Sequence, residues 1–110
     1  MLRRLLSRLR PAAAPVRVTL YTRAGCPLCD EMKAELSRAR PVHAFELVEV
    51  DIAADPALLE RHGRSIPVLE IEGRAAFKGH LTAAEFERKL ARRVRELSSG
   101  AGAREATRDG

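Results

Sequence analysis

Val16-Arg-Val-Thr-Leu-Tyr-Thr22, followed by Arg23-Ala-Gly25 and then Cys26-Pro-Leu-Cys29, is the stretch on which the reading of this chain turns. Val16, Val18 and Leu20 recur at every second position, the period of a half-buried strand. Arg23-Ala24-Gly25 ends the alternation. Cys26 then stands as an N-cap before Pro27, a residue suited to the first helical position because the amide hydrogen it lacks has no partner there anyway. Met32 and Leu36 mark one side of the helix that follows, which should end near Pro41. From Phe45 to Ile52 the β propensity is high, with Val48, Val50 and Ile52 alternating against Glu49 and Asp51. Strand, helix and strand within about forty residues make a βαβ unit, and the right-handed crossover rule makes the two strands parallel.

The rest of the chain is read outward from that unit. Asp55-Pro56 is an N-cap and first-turn pair for a short helix through Leu58 and Leu59, closed by Gly63. Val68 to Ile71 and Ala75 to Phe77 flank a Glu72-Gly73 turn and form a hairpin. Thr82 and Glu85 have the spacing of a capping box, opening a helix whose Phe86, Leu90, Val94 and Leu97 share one face. Residues 98–110 are too polar and small to offset their ordering entropy, so a disordered tail is expected. At the other end Leu2, Leu5, Leu6 and Leu9 form a stripe on a short basic segment stopped by Pro11. Such a stripe suits an anionic lipid surface, a docked arm or an organelle presequence. About ten residues are too few for a stable isolated helix, so residues 1–15 are read as a loosely ordered basic arm and linker, without membrane contact. The folded domain is expected over 16–97.

Composition bounds what such a domain does. A chain of 110 residues holds one core, and 45% apolar residues suffice to build it. No apolar run approaches the ~20 residues of a spanning helix. Two cysteines make no disulfide lattice, and no apolar leader segment follows the basic start, so a reducing compartment is expected: the cytoplasm, or an organelle matrix if residues 1–15 are a presequence. The net charge of +5 is uneven, because Arg3, Arg4, Arg8 and Arg10 stand in the first fifteen residues without an acid, while Val16 to Leu97 carry 14 basic and 13 acidic residues. A nearly neutral domain whose aromatics are only Tyr21, Phe45, Phe77 and Phe86 does not read as a nucleic-acid binder.

The chemistry lies in Cys26 and Cys29. A cysteine at a helix N-cap faces unsatisfied amides and the positive end of the helix, which favour thiolate over thiol, so Cys26 is the candidate nucleophile. Cys29, three residues on and on the inner side of the first turn, is the candidate resolving thiol. Arg23 adds positive charge and can receive a substrate carboxylate, whereas Asp30 and Glu31 oppose it, so moderate acidity is expected. Zinc commonly takes four ligands, and His43, His62 and His80 do not supply a second pair at ligand spacing. A purely structural disulfide over so short a loop would gain little stability. Two inert buried thiols, a non-catalytic adaptor, and a metal or iron–sulfur cluster carrier using Cys26 stay open as alternatives.

Tyr21-Thr-Arg-Ala-Gly-Cys-Pro-Leu-Cys29 resembles the active-site segment of glutaredoxins and glutaredoxin-like proteins of the thioredoxin superfamily. The likeness extends from Val16 to Leu97, since Ser65-Ile66-Pro67-Val68 stands where that family has a cis proline before its third strand. It implies a thioredoxin-like α/β sandwich of order β-α-β-α-β-β-α, a four-stranded mixed sheet with helices on both faces. It further implies thiol–disulfide exchange through a Cys26–Cys29 redox pair and an electron-transport role. Pro27, Ile66 and Pro67 would border the thiols, with the Ile66 backbone pairing a substrate chain, Gly79 allowing close approach, and Arg23 matching the basic residue that faces glutathione. Two departures stand out. Leu28 replaces the tyrosine of dithiol glutaredoxins, and Lys78-Gly79-His80-Leu81-Thr82 replaces a Gly-Gly and acidic pair, leaving no carboxylate for the glutathione amino group. His80 reads as a surface imidazole, with a proton-shuttling role as the sharper alternative. No metal or bound cofactor is expected. The partners implied are protein or low-molecular-weight disulfides, with glutathione or a thioredoxin-reductase-like protein as reductant, acting on a monomer.

Overall fold

The computed structural model describes residues 15–98. The arm expected over 1–15 and the tail expected over 98–110 lie outside the described residues, apart from Pro15 and Ser98 at their edges. Four strands, β1 (Val16–Thr22), β2 (Phe45–Asp51), β3 (Val68–Ile71) and β4 (Arg74–Lys78), and three helices, α1 (Pro27–Arg38), α2 (Pro56–His62) and α3 (Ala83–Ser98), follow one another in the order β1-α1-β2-α2-β3-β4-α3. The sheet order is β2-β1-β3-β4. β1 and β2 run parallel from Val16 opposite Phe45 to Thr22 opposite Asp51, as the crossover rule requires. β3 is antiparallel to β1, with Tyr21 opposite Val68, and β4 antiparallel to β3. This mixed α/β sandwich is the thioredoxin-like architecture.

The pleat of β1 decides which helix covers which face. Val16, Val18 and Leu20 join Leu69 and Ile71 of β3, Met32 and Leu36 of α1, and Phe86 and Leu90 of α3 in one buried cluster. Phe45 meets Phe86 edge to face, 4.9 Å between ring centres. Tyr21 points to the opposite face, where its ring stacks on His62 of α2 at 4.6 Å. Thus α1 and α3 lie on one side of the sheet and α2 on the other.

Local signals account for most element ends. The Thr82 hydroxyl accepts from the Glu85 amide at 3.1 Å while the Glu85 carboxylate accepts from the Thr82 amide at 3.0 Å, a complete capping box. The Asp55 carboxylate accepts from the Ala57 amide at 2.9 Å and starts α2. Glu72 and Gly73 both have positive φ, 50° and 83°, which is the turn whose twist matches a two-residue hairpin. One expectation is corrected and two are refined. β2 stops at Asp51, because the Asp51 side chain caps a single 3₁₀ turn over Ile52–Ala54, so Ile52 is buried from a turn and not from the strand. Gly63 closes α2 in right-handed geometry, φ −53°, and the buried residue of that helix is His62. Leu97, at the far end of the apolar face of α3, is 47% exposed. No helix among the described residues is long and apolar enough to cross a membrane.

Candidate functional site

β1 delivers the chain to the end of the sheet where Gly25, at φ 77°, turns it into α1. Cys26 is the N-cap of α1 in extended conformation, with Pro27 next. Its Sγ accepts a hydrogen bond from the Cys29 amide at 3.1 Å, and its carbonyl accepts the first helical bond from the Asp30 amide. The two cysteines are joined as a disulfide, their Cα atoms 5.2 Å apart. Cys26 is half-buried, whereas Cys29 is 1% exposed behind it. One sulfur therefore faces incoming groups and the other is sheltered, and the outer one sits on the amides of a helix start, where negative charge is favoured. Leu28 stands exposed beside them as an apolar lip.

The register brings the second half of the site to the same end. Pro67 immediately precedes Val68, the residue paired with Tyr21, and the Ile66–Pro67 peptide is cis. The Pro67 carbonyl accepts from the Gly79 amide at 2.8 Å, with Gly79 at φ 87°. On the other side, the His62 carbonyl accepts from both the Ser65 and Ile66 amides at 2.8 and 3.1 Å. The loop carrying Ile66 and Pro67 is thereby pinned by backbone bonds to α2 and to the end of β4.

A hollow of about 370 Å³ flanks the pair, lined by Thr22, Arg23, Cys29, Asp30, Lys33 and Glu49 among others. Lys33 Nζ lies 3.0 Å from the Glu49 carboxylate and 3.7 Å from Asp30, and Thr22 Oγ1 donates to Glu49 at 3.3 Å. Its hydrogen bond to Glu49, and then the Glu49 charge, hold the Lys33 ammonium above its ordinary range. Lys33 is thus committed to carboxylates of its own chain, while Arg23, exposed at the rim, has no ion pair among the described residues.

Of the residues singled out from the sequence, Cys26, Pro27 and Cys29 meet at the helix start, Ile66, Pro67 and Gly79 share one loop cluster at the same sheet end, and Arg23 borders the hollow. His80 is exposed in a separate depression along α1, lined also by Glu31, Glu35 and Leu81. His43 is exposed, and no group of three potential ligands gathers among the described residues. Sequence reasoning missed Lys33, Glu49 and His62. Lys33 follows Cys29 by four residues, so helical spacing already puts both on one side. Glu49 shares pleat parity with Leu20 across the parallel pair, a signal visible only once the register is known.

Comparison with known proteins agrees with this geometry. The sequence family described as Glutaredoxin-like domain (DUF836) matches residues 17–91. Among solved structures, that of the structural genomics target protein XcR50 from X. campestris is 33% identical. It superposes with a TM-score of 0.58, the match covering 67% of this chain and 95% of that one.

Proposed function

Since the chain belongs to the Glutaredoxin-like domain (DUF836) family, we propose that its redox-capable cysteine pair performs dithiol exchange, the protein acting as a thiol–disulfide oxidoreductase. The carrying observation is the asymmetry of the pair: a half-exposed Cys26 sulfur on the α1 amides, with a buried Cys29 one turn behind. In the reduced protein the Cys26 thiolate attacks one sulfur of a substrate disulfide. A mixed disulfide forms and the other substrate sulfur leaves as thiolate. Cys29, losing its proton, then attacks the Cys26 sulfur, and the second substrate thiolate departs. The substrate has gained two electrons, and the protein is left with the Cys26–Cys29 bridge.

The substrate chain would lie along the pinned Ile66–Pro67 backbone, with Pro27 and Leu28 as its apolar border. Arg23 is the cation left for a substrate carboxylate, which suits glutathione as reductant, while a thioredoxin-reductase-like protein is the other donor of matching chemistry. The test is a coupled assay that offers glutathione with its reductase, or a thioredoxin reductase, to the full chain. Cys26→Ser should abolish disulfide reduction and Cys29→Ser should accumulate a mixed disulfide detectable by mass. A Cys26→Ser protein that keeps its activity would overturn the proposal. So would a coloured preparation whose absorbance is lost with Cys26, the sign of a cluster carrier.

A further inference from the structure

The near-neutrality of the domain conceals a divided surface. Arg88, Arg92 and Arg95 follow one another at helical spacing on the outside of α3, with Lys89 and Arg93 in the adjacent row and Arg74 facing them from β4. Two adjoining hollows, about 190 and 560 Å³, run between edge strand β4 and α3 and share Lys89 and Arg92. Among the described residues their acids are Glu85, occupied by the capping box, and Glu96, paired with Arg93 at 3.3 Å. Arg74, Arg88, Lys89, Arg92 and Arg95 form no ion pair among the described residues, and Arg93 Nε is buried there without a hydrogen-bond partner. Like charges gathered this way repel one another, and an incoming anion relieves that repulsion.

We propose that this groove docks an extended, Asp- and Glu-rich segment of a partner protein. Several features favour carboxylates on a protein over other polyanions. The cations span only about 10 Å of α3, from Arg88 to Arg95, and acids close both ends, which fits a short segment and not a long polymer. The opposite edge of the sheet exposes Glu46, Glu49 and Asp51, which would repel a nucleic acid running past the groove. Among the described residues Phe77, the groove's one aromatic, is packed against the core and offers no stacking platform, and none there exposes a large apolar side chain to enter a lipid surface. Five of the six cations are arginine, whose fork matches a carboxylate in two bonds. Because β4 is an edge strand, its free backbone groups can also receive an extended chain. The groove uses none of the residues assigned to exchange, so its test is independent of the cysteines.

The test titrates the isotope-labelled full chain with a short synthetic peptide of Asp, Glu and Gly. Amide shifts should concentrate on Arg74–Phe77 and Arg88–Arg95. Arg88→Ala together with Arg92→Ala should weaken binding about tenfold, as should raising salt from about 0.05 to about 0.3 M, while Arg61→Ala on α2 leaves it unchanged. Alanine favours the helix at these exposed positions, and an unaltered circular dichroism spectrum checks that α3 persists. Shifts confined to residues 1–15, or undiminished binding by the double variant, would overturn the proposal. A DNA duplex or phosphatidylglycerol vesicles binding more tightly than the peptide through the same arginines would also overturn it.

Discussion

Tyr21 is the only tyrosine of a chain without tryptophan, so its phenol can be titrated by ultraviolet absorbance with no competing signal. Its ring is stacked on His62, and its hydroxyl donates to the Glu70 carboxylate at 3.3 Å. Burial, followed by the charge of Glu70 and that hydrogen bond, holds the phenol above the ordinary tyrosine range, with the Arg61 charge acting the other way. The expected midpoint therefore lies above the usual value of about 10. Glu70→Gln should lower it without restoring that value, because burial remains. Since the folded-state pKa is raised, the stabilisation from this proton is complete below the unfolded value and is lost as pH rises through the folded one, which confines the effect to alkaline solution. A wild-type phenol that titrates like free tyrosine would contradict the geometry. The alternation that put Val18 and Leu20 in the core was legible in β1, but the Tyr21–His62 stack was not. It joins residues far apart in the chain, and nothing near His62 in sequence names a partner.

Between elements, Glu35 ties α1 to α3. Its carboxylate accepts from the Ala83 amide at 2.8 Å, satisfying a donor in the first turn of α3 that the Thr82–Glu85 box leaves open, and it also receives the Arg38 guanidinium. The Ala83 hydrogen bond first, and Arg38 next, hold the Glu35 carboxyl below the ordinary glutamate range. A depressed folded-state pKa contributes stability that is present above the unfolded value and lost as pH falls through the folded one. Glu35→Gln should therefore melt earlier than wild type at pH ~7, and the difference should shrink toward pH ~3. A gap of constant size across that range would mean the carboxylate charge plays no part. The capping box was readable because Thr82 and Glu85 are three residues apart and act on each other. The Glu35 contribution was not, since a surface glutamate in α1 gives no sign of which helix start it will meet. Likewise the run to Ile52 carried no mark of the Asp51 cap beyond an acid that fits a strand edge equally well.

At the scale of the whole molecule, apolar material is divided unequally between the two faces of the sheet. The face under α1 and α3 holds the continuous cluster, whereas the other is covered by a seven-residue α2, about 10 Å long, which leaves Val48 of edge strand β2 41% exposed. The pattern of Val48 and Val50 gave the strand its existence and type but not its depth, because alternation reports which side a residue faces and not how far a helix reaches over it. Charge shows the same limit, since 14 basic and 13 acidic residues summed to near neutrality although the folded chain sets most of the outer cations of α3 against one edge of the sheet. Burial converts this asymmetry into a measurable contrast. Phe86 is fully buried and meets Phe45 edge to face, so Phe86→Ala removes transfer energy, an aromatic contact and packing at once. Its expected cost is about 3–5 kcal/mol, a large share of the roughly 5–15 kcal/mol that holds such a domain together. Val48→Ala removes atoms already in contact with water and should cost under about 1 kcal/mol. Urea denaturation of both variants distinguishes them, and comparable losses at the two positions would mean that the α2 face bears as much of the stability as the α1–α3 face.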